Sequence, residues 1–278
     1  MSETGVEIDL AAALEAISET GPLINSITNN VTVNDVANIT LHWGGLPVMS
    51  DDEREVADMV AAADGCLLNM GTVDEAGEAA MMTAGEAAND RSIPLVVDPV
   101  GIGATPTRTR VGTRLVEELD VTILKGNHAE ISALAGEDAE VRGVESVGEY
   151  ADVAEAALSC AREYGTIAVA SGETDVVADS ENAYEISVGD PMMGRVVGTG
   201  CMLGVTLATF AAGIGVESPL EAALSGTVGF GLAGERAVED GEWNGPASYK
   251  TAFLDTVAGM AENPPTPRNA SIQRVLTA

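Results

Sequence analysis

A cysteine follows a glycine-rich turn in the stretch GTGC at residues 198–201, and a long apolar segment comes after it. A glycine-rich loop that opens a helix leaves backbone N–H groups unpaired, and together with the helix dipole these groups form a cradle for an anion. A thiol in the first turn of such a helix is expected to have a lowered pKa, so Cys201 could accept a proton from a substrate hydroxyl. The alternative is a buried cysteine in a helix of small residues, which these four residues alone favour.

Two carboxylates, Asp98 and Glu130, follow two successive predicted strands. Carboxylate oxygens suit a magnesium ion that bridges phosphate groups. Lys125 and Asn127 lie between them in the sequence and could reach phosphate oxygens. Asn127 with Glu130 also fits the N-x-x-E capping box of an ordinary helix start. Both interpretations can hold together, because a capped helix beside a strand end also makes an anion site.

The elements that must position these residues alternate between short apolar runs rich in β-branched residues and segments of helical period. Strands are predicted at 64–72, 92–101, 121–127 and 165–173, helices at 73–91, 105–119 and 146–164, a hairpin at 175–189, and mostly helix from 201 onward. This alternation predicts an α/β fold with a parallel sheet covered on both faces. Such sheets bind ligands outside the carboxyl ends of their strands, where Asp98, Asn127, Ser171 and the loop before Cys201 all fall.

Acidic residues dominate the charge: 44 Asp and Glu against 13 Lys and Arg give a net charge of −31 over 278 residues. Binding to nucleic acid or to an anionic membrane depends on Lys and Arg, so this balance argues against both as partners. The surplus is typical of a surface solvated at high salt, where counter-ions screen the self-repulsion, and it predicts a halophilic protein.

The cysteines and the N-terminus bear on the compartment. Cys66, Cys160 and Cys201 form no CxxC pair, and no basic region precedes an apolar run at the N-terminus, so we expect free thiols in a reducing cytoplasm. Residues 196–216 carry no charge and are long enough to span a bilayer. Glycines and threonines dilute this segment and an amphipathic segment follows it, which favours a buried helix.

Other motifs argue against several enzyme classes. The stretch GIGATP at 101–106 matches neither a Walker loop nor a dinucleotide fingerprint, and Thr105 with Pro106 fits a helix start instead. His42 and His128 are the only histidines and form no zinc-binding pattern. A triad hydrolase is disfavoured because there is no nucleophile elbow.

Seven ordered blocks resemble the hydroxyethylthiazole kinase family. They are PLINSITNNVTVNDVAN at 22–38, GGLPVMS at 44–50, NMGT at 69–72, VVDPVGIGATPTRT at 96–109, LKGNHAEISALAG at 124–136, SGETDVV at 171–177 and VVGTGCMLG at 196–204. The resemblance implies a single ribokinase-like domain over residues 1–278, with three α/β/α layers and a mostly parallel central sheet. It also implies ATP-dependent phosphorylation of the hydroxyl of 4-methyl-5-(2-hydroxyethyl)thiazole in thiamine biosynthesis or salvage, with Mg²⁺, in a homotrimer that binds thiazole between subunits.

The resemblance and the spacing together give the candidate site. The resemblance implies Cys201, Gly198, Thr199 and Gly200 for catalysis, Lys125 and Ser171 for ATP, Met49, Gly198, Asn25 and Gly71 for the thiazole, and Asp98 and Glu130 for the metal; the position of Asn127 between the carboxylates adds it to the ATP set. Cys201 stands where other ribokinase-like kinases place an aspartate base. Many family members have Arg in place of Lys125 and Thr in place of Ser171; neither change removes the chemistry.

Two other functions stay open at this point. Another ribokinase-like enzyme, such as a hydroxymethylpyrimidine kinase or a nucleotide-repair dehydratase, would share the anion loop but would usually carry Asp at position 201. A non-catalytic ligand-binding relative would have no need of the carboxylates and the GTGC loop. The PLINSITNN and LPVMS blocks favour the thiazole.

Overall fold

The computed structural model describes residues 7–136, 141–142, 145–146, 153–239, 242–265 and 272–277. The helices are α1 Leu10–Thr20, α2 Val33–Trp43, α3 Val56–Ala61, α4 Glu75–Arg91, α5 Pro106–Glu118, α6 His128–Leu134, α7 Val153–Tyr164, α8 Thr199–Ile214, α9 Pro219–Glu239 and α10 Pro246–Met260. The strands are β1 Leu23–Ile27, β2 Leu46–Val48, β3 Gly65–Asn69, β4 Leu95–Asp98, β5 Ile123–Asn127, β6 Val141–Arg142, β7 Glu145–Ser146, β8 Ile167–Ser171, β9 Asp175–Ala178, β10 Asn182–Ile186 and β11 Ile272–Thr277.

Nine strands form one sheet in the order β11-β10-β9-β8-β5-β4-β3-β1-β2. The six strands from β8 to β2 pair in parallel, whereas β9, β10 and β11 add an antiparallel edge. The strands β6 and β7 form a separate two-stranded ribbon. The prediction of a mostly parallel sheet is therefore confirmed.

Two apolar cores lie on opposite faces of the sheet, because successive side chains of a strand point to opposite sides. Leu67 of β3 joins the core formed with α1, α2, α8, α9 and α10, whereas its neighbours Cys66 and Leu68 join the core formed with α3, α4, α5, α6 and α7. The result is the three-layer α/β/α arrangement expected from the sequence.

Side chains at helix starts explain where α5 and α6 begin. Thr105 Oγ1 accepts a hydrogen bond from Arg108 N, and Pro106 occupies the first helical position. Asn127 Oδ1 accepts from Glu130 N while Glu130 Oε2 accepts from Asn127 N, which is the predicted capping box. This box ties Glu130 to the carboxyl end of β5.

The uncharged segment at 196–216 forms the buried helix α8, whose residues Met202–Ala211 are all buried. A helix that is apolar all round must be covered by protein, and α8 lies between the sheet and α1, α2 and α9. Trp43 Nε1 donates to Thr206 Oγ1 at 2.9 Å and fixes α2 against α8. Among the described residues, no helix has the length and apolarity needed to cross a membrane.

The predicted elements agree with the structure except at two places. The strands and the 175–189 hairpin are confirmed, with shorter bounds. The helix predicted at 146–164 begins at Val153; Ser146 lies in β7 instead, and residues 147–152 lie outside the described part. Strand β11 was missed in the stretch expected to be mostly helical, because only Ile272 of it is buried and no apolar alternation marks it.

Candidate active site

Asp98 is the buried centre of the polar cluster at the carboxyl ends of β3, β4 and β5. Asn69, the last residue of β3, donates from Nδ2 to Asp98 Oδ2 at 2.7 Å. Lys125 Nζ lies 3.4 Å from both Asp98 oxygens. Parallel strands bring these residues together because their carboxyl ends share one edge of the sheet. The predicted placement of Asp98 at this edge agrees with the structure, and Lys125, which the sequence offered as a phosphate contact, lies beside it.

Glu130 stands beside this cluster in a fixed orientation. Its Oε1 accepts from Gly101 N at 2.6 Å, and its Oε2 accepts from Asn127 N at 2.7 Å. The carboxylate therefore links the loop after β4 to the end of β5. Each oxygen keeps a second lone pair, so these contacts leave acceptor capacity for a ligand.

The glycine-rich loop at 198–201 approaches the same cluster. Helix α8 begins at Thr199 after Gly198, which has φ +95° and provides no side-chain cap. A Cβ added to Gly200 would lie 3.1 Å from Lys125 Nζ, and one added to Gly204 would lie 3.4 Å from Asp98 Oδ2. Glycine at these positions lets the first turns of α8 lie directly against the Lys125–Asp98 pair, so the amino end of the helix faces a buried charge cluster.

Thr199 does not present its hydroxyl as a free donor. Its Oγ1 donates to the carbonyls of Met193 and Val196, both at 3.2 Å. The side chain therefore closes the short 3₁₀ turn at Met193–Arg195 onto the start of α8, and the loop can offer a ligand the backbone of residues 198–200.

Burial changes the protonation of the charged groups. It raises the pKa of Asp98 to about 6, against the opposing effect of the Lys125 ammonium. Burial alone would lower the pKa of Lys125, but the carboxylates of Asp98 and Glu130 outweigh it and raise that pKa. Lys125 is therefore a cation at neutral pH.

The expected lowering of the Cys201 pKa is wrong. Burial raises the pKa of this thiol, and the negative charge of Asp98 raises it further, against a lowering by Lys125. The sequence revealed the helix start but not the depth at which the sulfur lies. Cys201 is a weaker proton acceptor in this structure than its place in the sequence suggests.

Of the other ATP candidates, Asn127 and Ser171 end the neighbouring strands β5 and β8. Asn127 uses Oδ1 for the capping box, and Ser171 Oγ donates to Gly126 O at 3.3 Å. The structure thus brings both residues to the edge of the sheet that holds Lys125.

The thiazole candidates are arranged in two layers. Met49 is partly buried against the core, whereas Asn25 is completely buried. Asn25 Nδ2 donates a hydrogen bond to the carbonyl of Ser50, the residue after Met49, and Asn25 Oδ1 accepts one from Ser50 N. Asn25 therefore supports the Met49 segment from behind. A Cβ on Gly71 would lie 2.7 Å from Asn29 Nδ2, so Gly71 allows the Asn29 side chain to approach.

Sequence reasoning assigned no role to Asn29, Asn69 or Arg108. Asn69 could have been found, because it ends a strand as Asp98 does. Arg108 Nη1 donates to the carbonyls of Met70 and Val100, and its Nη2 donates to Gly71 O. The guanidinium thereby joins the loops after β3 and β4, which carry Asn69 and Asp98.

A sequence model of the hydroxyethylthiazole kinase family matches residues 14–263. This chain belongs to that family. A hydroxyethylthiazole kinase of Natronomonas pharaonis is 72% identical over 277 residues, covering 100% of this chain and 99% of its own. One of Haloquadratum walsbyi is 62% identical over 250 residues, covering 89% and 86%.

Solved structures agree with the hydroxyethylthiazole kinase assignment. The hydroxyethylthiazole kinase of Pyrococcus horikoshii has a TM-score of 0.84 at 35% identity, with 96% of this chain and 99% of that chain covered. A pyridoxal kinase of Staphylococcus aureus, in complex with AMP-PCP and pyridoxal, shares the fold with a TM-score of 0.55 at 17% identity, covering 74% and 85%. The expected family, the ribokinase-like fold and the kinase class are confirmed.

Proposed function

We propose that this chain transfers the terminal phosphoryl group of ATP to the hydroxyl of 4-methyl-5-(2-hydroxyethyl)thiazole, in thiamine biosynthesis or salvage. The observation that carries the proposal is the approach of the glycine loop at 198–200 to the buried Lys125–Asp98 pair. Phosphoryl transfer is catalysed mainly by positioning and by stabilising charge on the phosphoryl oxygens, and these groups can do both.

The reaction would proceed by direct displacement. The thiazole alcohol oxygen attacks the terminal phosphorus, the bond from phosphorus to the bridging oxygen of ADP breaks, and the alcohol proton passes to solvent water. Backbone N–H groups at 198–200 would hold the phosphoryl oxygens, and Lys125 would balance their charge. Cys201 would orient the hydroxyl, because a thiol with a raised pKa is a poor proton acceptor.

The carboxylates fit magnesium held jointly with the nucleotide. No group of three or more His, Cys, Asp or Glu is placed to hold a metal among the described residues, so Asp98 and Glu130 would need phosphate and water as further ligands. That is the usual way in which proteins bind this ion. When bound, Mg²⁺ would neutralise charge on the phosphates. Asn127 and Ser171 would contact ATP from the ends of β5 and β8.

An apolar surface beside the site supports assembly into a homotrimer with the thiazole between subunits. Val31 and Val197 are 72% and 73% exposed. They flank one close approach of the chain, because a Cβ on Gly198, next to Val197, would lie 2.5 Å from Cγ2 of Thr32, next to Val31. Large apolar side chains beside a polar site are typical of a covered surface. The thiazole would then lie near Met49, with Asn25 and Gly71 supporting the pocket.

A coupled assay of ADP release tests the activity. It uses ATP, with and without Mg²⁺, and a panel of small alcohols that includes the thiazole alcohol and hydroxymethylpyrimidine, in concentrated KCl. We expect turnover that requires Mg²⁺ and the thiazole alcohol. Preferential turnover of the pyrimidine alcohol would instead support a related kinase, and no turnover of any alcohol would support a ligand-binding relative.

Sedimentation tests the trimer. We expect a trimer in concentrated KCl, and a monomer for Val197→Glu under the same conditions, because a charge would be buried in the contact. A monomeric unmodified chain in all salts would refute the assembly.

The three free thiols, Cys66, Cys160 and Cys201, fit the proposed cytoplasmic location.

A further inference from the structure

We propose that Asn29 is a further positioning residue of the site, which holds the sulfur of Cys201 in place through a direct hydrogen bond. Asn29 lies in the turn between β1 and α2, is almost completely buried, and donates from Nδ2 to Cys201 Sγ at 3.3 Å. The inference deepens the proposed function, on which its kinetic test depends.

The surrounding hydrogen bonds determine which way the Asn29 amide points. Its Oδ1 accepts from the backbone N–H groups of Val31 and Thr32, both at 3.1 Å. Those donors require an oxygen at that position, so the amide nitrogen must face Asn69 and Cys201. The sulfur therefore receives an N–H donor and not a second acceptor.

The same reasoning extends the series of hydrogen bonds from Asn29 to the Asp98 carboxylate. Asn69 Oδ1 accepts from Asn29 Nδ2 and from Gly71 N, both at 3.1 Å, so Asn69 Nδ2 must face Asp98 Oδ2. Two amides of fixed orientation thus connect the thiol to Asp98. Asn29 sets the distance between the hydroxyl-orienting sulfur and the candidate metal ligand.

A double-mutant cycle separates this role from a purely structural one. Asn29→Asp keeps an oxygen for the N–H groups of Val31 and Thr32 but removes the donors to the sulfur and to Asn69 Oδ1. We expect kcat to fall about tenfold while KM for ATP stays within about twofold, the size of effect expected for a hydrogen bond at a polar reacting centre. In the Cys201→Ala background the same change should lower kcat clearly less than with the native cysteine, since only the contact with Asn69 then remains to be lost.

Asn38→Asp is the matched control. It introduces one negative charge, as Asn29→Asp does, but on helix α2. The hydrogen bonds described for the Asn38 amide go to Asn34. We expect unchanged kcat. If Asn29→Asp caused an equal loss with the native cysteine and in the Cys201→Ala background, the proposal would be overturned.

Thiol alkylation tests the contact without any kinase activity. Cys66 and Cys160 are buried and Cys201 is partly exposed, so the iodoacetamide rate at Cys201 can be followed by peptide mass spectrometry. Removing an N–H donor disfavours the thiolate, so Asn29→Ser and Asn29→Asp should each slow alkylation by about tenfold. A loosened site would speed alkylation by exposing the sulfur. An unchanged or faster rate in both variants would refute the contact, even if the unmodified chain proved inactive on thiazole.

Discussion

Lys125 Nζ lies 3.4 Å from each carboxylate oxygen of Asp98, and both side chains are buried. A buried ion pair adds little net stability compared with apolar residues, but removing one partner leaves a buried charge without compensation. The pair is therefore better explained by what it can do for a ligand than by stability.

Lys125→Met should lower the free energy of unfolding by about 3 kcal/mol, because Asp98 then lacks its cation. Adding Asp98→Asn should restore more than half of that loss while kinase activity stays absent. Urea unfolding in concentrated KCl measures the stability, and Lys250→Met is the control, since Lys250 pairs with Asp35 and is 32% exposed. A double variant no more stable than Lys125→Met would show that the two charges do not act as a unit.

Replacing Cys201 tests how much the thiol contributes to phosphoryl transfer. Cys201→Ala should keep measurable turnover, because backbone donors and bound cations stabilise most of the developing charge. Cys201→Asp should be tolerated or more active, since a carboxylate remains ionised at lower pH than a thiol. Steady-state rates of the three proteins decide this. An undetectable rate for a folded Cys201→Ala protein would give the thiol the leading role.

Gly71→Ala should reduce activity by displacing Asn29. The added Cβ would lie within 2.7–2.9 Å of three Asn29 atoms, and Asn29 cannot withdraw without losing its own hydrogen bonds. We expect kcat to fall at least about tenfold with a stability loss of about 1–3 kcal/mol. Gly77→Ala is the control, because a Cβ there meets only Asp74 Oδ1 at 3.3 Å. Full activity of Gly71→Ala would mean that the Asn29 position is not critical.

The sequence allowed Asp98, Asn127 and Ser171 to be placed together because each ends a strand of one parallel sheet. The same rule would have reached Asn69. The rule could not identify Asn29, because Asn29 lies in a turn after β1. It contacts the sulfur of Cys201, 172 residues further along the chain. Such a contact depends on the packing of α8, which no local pattern encodes.

The pKa of Cys201 was mispredicted for a related reason. A helix start is visible in the letters GTGC, but the burial of the sulfur and the approach of Asp98 arise only in the folded chain. Strand β11 was missed because it pairs antiparallel with β10 at the sheet edge and five of its six residues lie outside the buried core.

An ion-pair cluster between α4 and α5 gives a pH-dependent contribution to stability. Glu78 accepts from Arg110 and Arg114, and the bond from Arg110 contributes most to lowering the pKa of Glu78 from 4.5 to about 2. A carboxylate with a lowered folded pKa stabilises the fold above its unfolded value, and the contribution disappears as pH falls from about 4.5 towards 2.

Glu78→Gln should therefore be less stable than the unmodified chain by about 1 kcal/mol at pH 6, because the arginines are 58% and 40% exposed and salt screens the pair. The difference should vanish near pH 2. Denaturant unfolding of both proteins at several pH values measures it. A difference that stayed constant with pH would assign the effect to packing.

We expect the net charge of −31 to make the fold depend on salt. In dilute buffer the Debye length exceeds the spacing of neighbouring surface carboxylates, so the repulsion between these carboxylates opposes the compact state. Concentrated KCl shortens the Debye length to a few ångströms. We expect the thermal unfolding midpoint to rise by at least about 10 °C between dilute and multimolar KCl, a change that corresponds to a few kcal/mol for a chain of this size. Scanning calorimetry in KCl and in matched sucrose separates screening from exclusion of solute from the surface. If sucrose gave the same rise, or KCl gave none, charge repulsion would not limit the stability of the fold.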